Sequence, residues 1–64
     1  MLTEIQIGNR VNFNYDGKAV SGIVEDMKVV DGKRIAPENR GKTLIVVKKD
    51  DGSYRSYYLY KIEG

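Results

Sequence analysis

The sequence predicts an all-β domain, a small five-stranded barrel, and three observations carry that expectation. Asp-Gly occurs three times, at Asp16-Gly17, Asp31-Gly32 and Asp51-Gly52. Between β-prone runs this dipeptide is the strongest short-range hairpin signal, because a type I′ turn needs positive φ at both central positions. The run around the first copy alternates apolar and polar residues, as half-buried strands do, and the run before the third is rich in β-branched residues. No window of ten or more residues carries apolar side chains at the i, i+3, i+4 spacing of a helix. Several short strands on tight turns in so short a chain curl into a barrel, which also removes exposed edges.

A chain of 64 residues makes one domain, here taken as residues 1–64. Below about 70–80 residues a single core rarely supplies more than ~3–5 kcal/mol. Cysteine and histidine are both absent. Disulfides and thiolate sites are therefore excluded, and an ordinary zinc site lacks its preferred ligands. Stability must come from packing or self-association. Met1 runs straight into LTEIQIG with neither a basic segment nor a long apolar run, so no leader and no membrane helix are expected, and a cytoplasmic protein is.

Residues 2–7 alternate imperfectly and could add an edge strand. In the first hairpin a two-residue loop at Asp16-Gly17 sets Tyr15 against Lys18, Phe13 against Val20 and Val11 against Gly22. Directly opposed residues share a face, so Val11, Phe13, Val20 and Val24 point one way. Gly22 in mid-strand signals a bend or bulge, and Met27–Val30 continue the second strand. Residues 31–42 contain RIAPENRGK and form a long loop or irregular hairpin, since Pro37, Asn39 and Gly41 interrupt regular structure. A two-residue loop at Asp51-Gly52 sets Lys48 against Arg55, Val46 against Tyr57 and Leu44 against Leu59. The inner face then holds Leu44, Val46, Tyr57 and Leu59, and the outer face Ile45, Val47, Tyr54, Ser56 and Tyr58. Both faces are partly apolar. Either β-branched residues sit outside for propensity, or a second surface is buried by a subunit or ligand. LYKI, following that strand, reads as a tight turn leading into a short closing strand, with Ile62 returning to the core.

The segment Gly52-Ser53-Tyr54-Arg55-Ser56-Tyr57-Tyr58-Leu59-Tyr60-Lys61-Ile62 resembles the closing segment of WYL-type domains and of short phage proteins on the same SH3-like/Sm-like barrel. That segment reads aromatic-Arg-Ser/Thr-Phe-x-Leu-x-Lys/Arg-Ile. Tyr54, Arg55, Ser56, Leu59, Lys61 and Ile62 fall on it, with Tyr57 in the aromatic slot. The opening IGNRVNFNYDGKAVSGIVED resembles the first hairpin of SH3-like barrels. The resemblance implies an all-β, five-stranded SH3-like/Sm-like barrel, a phage source and a role in host takeover or anti-defence. It also implies a nucleotide or nucleic-acid ligand, Arg55 as an anion contact, and Tyr57, Leu59 and Ile62 as core. The chain departs from the family in lacking the Trp-Tyr-Leu triplet and an attached helix-turn-helix.

Charge is unevenly spread. Residues 1–32 hold three basic and five acidic residues, net −2, and residues 33–64 hold eight and four, net +4. The basic half suits an anionic partner, or simply solubilises the chain. Arg55 offers a planar fork that matches phosphate. Arg34, Arg40 and Lys42 lie in the long loop, where cations either contact phosphate or stay solvated. Tyr54 and Tyr58 either stack bases or cover their neighbours. The expected ligand set is Arg55, Arg34, Arg40, Lys42, Tyr54 and Tyr58. A protein interface would instead use Ile45, Val47, Tyr54 and Tyr58, with a homo-oligomer or a host protein as partner. Catalysis is not expected: nucleophile–base pairs with His or Cys are missing. The adjacent carboxylates Glu25-Asp26 and Asp50-Asp51 would point to opposite faces of a strand. No Gly-rich phosphate loop occurs, and no cofactor or metal is expected.

Overall fold

The computed structural model describes residues 5–63. They form an all-β structure, 33 × 20 × 20 Å, with no α-helix among the described residues. Strand β1 spans Arg10–Tyr15, β2 Lys18–Val30, β3 Lys42–Lys49 and β4 Tyr54–Tyr58. The four make one antiparallel sheet in the order β1-β2-β3-β4. Single 3-10 turns occupy Pro37–Asn39 and Leu59–Lys61.

The first hairpin has the register its sequence predicts, with Tyr15 opposite Lys18, Phe13 opposite Val20 and Val11 opposite Gly22. Asp16 and Gly17 both take positive φ, 52° and 77°, as a type I′ turn requires. Alternation then buries Val11, Phe13, Val20 and Val24 on one side.

Strand β2 is 13 residues long and serves both hairpins, pairing with β1 through its first half and with β3 through its second. Gly22 sits where the two ladders overlap, opposite Val11 on one side and Lys49 on the other. A Cβ there would lie 2.2 Å from the Lys48 carbonyl oxygen, so the close backbone approach depends on glycine. The bulge expected near this glycine falls three residues later, where the register shifts between Val24 and Asp26 and leaves Glu25 unpaired. A bulge bends a strand and reverses its alternation. Beyond it Met27 turns toward the core while Val29 stays exposed.

The third Asp-Gly corrects the expected register. Lys48 faces Tyr54, Val47 faces Arg55, Val46 faces Ser56 and Ile45 faces Tyr57. The loop has three residues, Asp50, Asp51 and Gly52. The Lys49 N–H donates to the Ser53 carbonyl at 2.7 Å and the Gly52 N–H to the Lys49 carbonyl at 2.9 Å. Of the Asp-Gly pair only Gly52 has positive φ, at 90°, the geometry of a type I turn closed by a left-handed residue. One residue of slip turns β3 over. Ile45 and Val47, expected outside, are fully buried, and Leu44 and Val46, expected in the core, are half-exposed on the other face. Strand β4 keeps its expected sides, with Tyr57 inward and Tyr54, Ser56 and Tyr58 outward.

The core comprises Val11, Phe13, Val20, Val24, Ile45, Val47 and Tyr57, with Ile5, Tyr15, Met27 and Ile62 packed on it. Tyr57 anchors an aromatic cluster. Its ring meets Phe13 edge-on at 5.4 Å and Tyr15 at 4.8 Å, arrangements that add about 0.5–1.5 kcal/mol each beyond area burial. Leu59, expected in the core, is half-buried in the second 3-10 turn. The closing strand is reduced, among the described residues, to one bridge. Asn14 and Glu63 exchange both backbone hydrogen bonds, at 2.9 and 2.8 Å.

Of the edge strand expected from residues 2–7, residues 2–4 lie outside the described part. Residues 5–7 form no strand, and just beyond them the Gly8 N–H donates to the Val24 carbonyl and the Val24 N–H to Asn9.

Candidate functional site

The second Asp-Gly makes no hairpin turn. Neither Asp31 nor Gly32 has positive φ, and a loop runs to Gly41, whose N–H donates to the Val30 carbonyl. Arg40 organises this loop from within. Its Nε donates to the carbonyls of Gly32 and Ile35 at 3.2 and 3.1 Å, and its Nη2 to that of Lys33 at 3.2 Å. Three of the loop's carbonyls thus share one guanidinium, and Arg40 remains exposed. Arg34 is exposed in the same loop and lines neither the groove nor the hollow described below.

The loop is joined to the end of the chain. The Tyr60 hydroxyl donates to Asn39 Oδ1 at 2.6 Å, which fixes the tyrosine ring against the base of the loop. Lys42 Nζ lies 5.1 Å from the centre of that ring, and Lys61 Nζ lies 5.6 Å from it and 5.7 Å from the Tyr58 ring. The rings of Tyr58 and Tyr60 are 6.1 Å apart and inclined at 55°. Two tyrosines and two lysines therefore share one surface cluster. Tyr60 remains substantially exposed. Lys42 and Tyr58 are legible in the sequence as ligand-site candidates, whereas Tyr60 and Lys61 are not among them. The tight turn expected at LYKI is present as the 3-10 turn Leu59–Lys61, which carries Tyr60 and Lys61.

Next to this cluster lies an open groove of about 580 Å³, lined by Tyr15, Asp16, Tyr60, Lys61, Ile62 and Glu63. A smaller, more enclosed hollow of about 140 Å³ adjoins it and shares Tyr15 and Asp16 as a common wall. Lys18, Lys49 and Arg55 line the hollow, over a floor formed by Val20 and Tyr57. Register explains this gathering. Arg55 has the same strand parity as Tyr57, and Lys49 the same as Val47, so both leave the sheet on the core side, past the last buried residues. Lys18 follows the first turn directly. The expected like-charge pair of Arg55 and Lys48 is absent, because Lys48 faces Tyr54 with its Nζ 5.9 Å from that ring. The Arg55 guanidinium lies 6.0 Å from the Tyr57 ring. Burial raises the Tyr57 hydroxyl above its ordinary pKa, and the Arg55 charge works against that shift.

The one ion pair among the described residues joins Arg10 and Asp50 at 2.8 Å, exposed to solvent. Lys18, Lys49 and Arg55 therefore have no carboxylate within pairing distance among those residues. Tyr54 is exposed at the far end of β4 from Tyr58. Among the described residues no group of three or more acidic side chains could hold a metal, and no helix is long and apolar enough to cross a membrane.

Set beside known proteins, the chain matches no family model, no curated protein and no solved structure.

Proposed function

We propose that this chain is a non-enzymatic binding module for anionic nucleotide-type ligands, with single-stranded nucleic acid the class that suits the surface best. The observation that carries the proposal is the cluster of Tyr58, Tyr60, Lys42 and Lys61. Aromatic rings stack on bases whatever their sequence, and neighbouring cations track the backbone. The groove beside Tyr60 falls within the ~300–1,000 Å³ range of small-molecule sites, which also suits a free signalling nucleotide. Lys61 is balanced there by Asp16 and Glu63, so the groove suits a base or sugar better than a phosphate.

For the fold we favour the finer reading of a five-stranded SH3-like/Sm-like barrel. It is supported by the long bent β2, the 3-10 turn after β4 and the return of Glu63 to β1. The kinship with short phage proteins of WYL type rests on residues 52–62 alone. It would place the module in the host cytoplasm as an anti-defence or takeover factor.

Fluorescence anisotropy with a labelled single-stranded oligonucleotide at two salt concentrations tests the function. Binding that weakens as salt rises is expected. Tyr60→Ala should lose about 1 kcal/mol or more, the contribution of one stacked base. A flat isotherm for oligonucleotide and cyclic nucleotide alike ends the proposal.

A second reading has its own observation. Strand β4 is paired on one side only among the described residues, and half-buried Leu44 and Val46 lie on the outer face beside it. An edge strand is a template for a further chain. A protein-interaction module would use this edge with Tyr54 and Tyr58, whereas Ile45 and Val47 are inside the core and offer no surface. Sedimentation separates the readings: a monomer that binds oligonucleotide supports the first, and an oligomer that binds none supports the second.

A further inference from the structure

We infer that the hollow lined by Lys18, Lys49 and Arg55 receives a terminal phosphomonoester, so that the module grips single strands by a phosphorylated end. The inference rests on the nucleic-acid reading above and adds a site and a substrate feature to it. Three cations line the hollow against one carboxylate, Asp16, and none of the three is paired with a carboxylate among the described residues. Like charges gathered around one hollow repel in a small domain, and a bound anion removes that repulsion.

Size narrows the anion. At about 140 Å³ the hollow is well under the ~300 Å³ where drug-sized ligand sites begin. A hollow of that size suits a head group better than a whole nucleotide. Its small size favours a group at the end of a chain. An internal phosphodiester would have to carry two strand continuations through the same mouth. A phosphomonoester carries about −1.5 to −2 charge near neutral pH, against −1 for a diester, and three strong acceptor oxygens. Arg55 can meet two of those oxygens with its fork, and the lysines supply point charges.

Position supplies the link to the strand. The hollow and the groove share Tyr15 and Asp16, and the groove runs to Tyr60 and Lys61. A phosphate held at Arg55 leaves its own nucleotide in the groove and the next base toward the Tyr60–Tyr58 cluster.

The test compares three strands of one sequence, bearing a 5′-phosphate, a 3′-phosphate or hydroxyls at both ends, together with a free 5′-mononucleotide. One phosphorylated strand should bind about tenfold more tightly than the hydroxyl-ended strand, a factor within reach of one charge-assisted hydrogen bond. Arg55→Gln should erase that preference, and Arg55→Lys should keep part of it, having charge without the fork. Arg55 is exposed, so both variants should melt as the parent does. Equal binding of all three strands overturns the inference and leaves the nucleic-acid reading standing. Binding of no strand overturns both. A mononucleotide that binds as tightly as the best strand overturns the strand-end element and assigns the hollow to free nucleotides.

Discussion

Asp16-Gly17 and Asp51-Gly52 are the same dipeptide between antiparallel strands, yet they turn the chain differently. At the first, both residues have positive φ and the flanking Tyr15 and Lys18 pair directly. At the second, Asp51 keeps negative φ and a third residue, Asp50, joins the loop. The neighbours account for the difference. Asp51 Oδ1 accepts from the Ser53 N–H at 2.8 Å and from its hydroxyl at 2.6 Å, an Asx turn that satisfies the aspartate locally. Asp50 is held from outside the hairpin. Its N–H donates to the Ser21 carbonyl at 3.2 Å and its carboxylate pairs with Arg10. At these two sites the dipeptide marks where the chain reverses, while its neighbours and the strand packed beside it fix by how many residues.

The comparison breaks most visibly in the core. Ile45→Ala should cost about 2–5 kcal/mol, the range for truncating a fully buried aliphatic, which is enough to unfold a domain of this size. Leu44→Ala should cost about 1 kcal/mol or less, because a half-exposed site leaves no enclosed cavity. Thermal or urea melts of the two variants give the register of β3 directly, and a reversed order of costs would restore the two-residue loop at Asp51-Gly52.

Deleting Asp50 sharpens the same contrast. It leaves Asp51-Gly52 as a two-residue loop between Lys49 and Ser53, like the first turn, with the register of β3 and β4 unchanged. The loss should be about 1–2 kcal/mol, from one backbone hydrogen bond and one exposed ion pair. Amide chemical shifts for Ile45, Val47 and Tyr57 should stay close to those of the parent. Wholesale shifts along β3 would mean that Asp50 itself sets the register.

The smallest effect is expected with pH. The Ser53 hydroxyl, then the Ser53 N–H, hold the Asp51 carboxyl below its ordinary pKa. A carboxylate whose native pKa is lowered stabilises the fold above its unfolded pKa, and that contribution is lost as pH falls through the native value. Stability measured from neutral to strongly acidic pH should therefore decline a little less steeply in Asp51→Ala than in the parent. An identical acid limb would mean that the Asx turn is not formed in solution.

Much of the candidate site was readable in part. Arg55, Lys42 and Tyr58 could be picked out by charge and aromaticity. Lys18 and Lys49 could not, since they join Arg55 around one hollow only through sheet register. Arg40 looked like a free cation and is spent on three carbonyls of its own loop. Backbone acceptors carry no sequence signature, so such a brace is invisible to residue type.

By itself the sequence determined that the chain is β-structured, that it reverses at Asp16-Gly17 and near Asp51-Gly52, and that Val11, Phe13, Val20, Val24 and Tyr57 lie within. Alternation around the first turn offers one apolar face, so local pattern suffices there. In β3 it offers two nearly equal faces, Leu44 with Val46 and Ile45 with Val47, and hydrophobicity cannot choose between them. Tertiary structure decided that choice through the length of one loop, and with it the side from which Lys49 reaches Arg55.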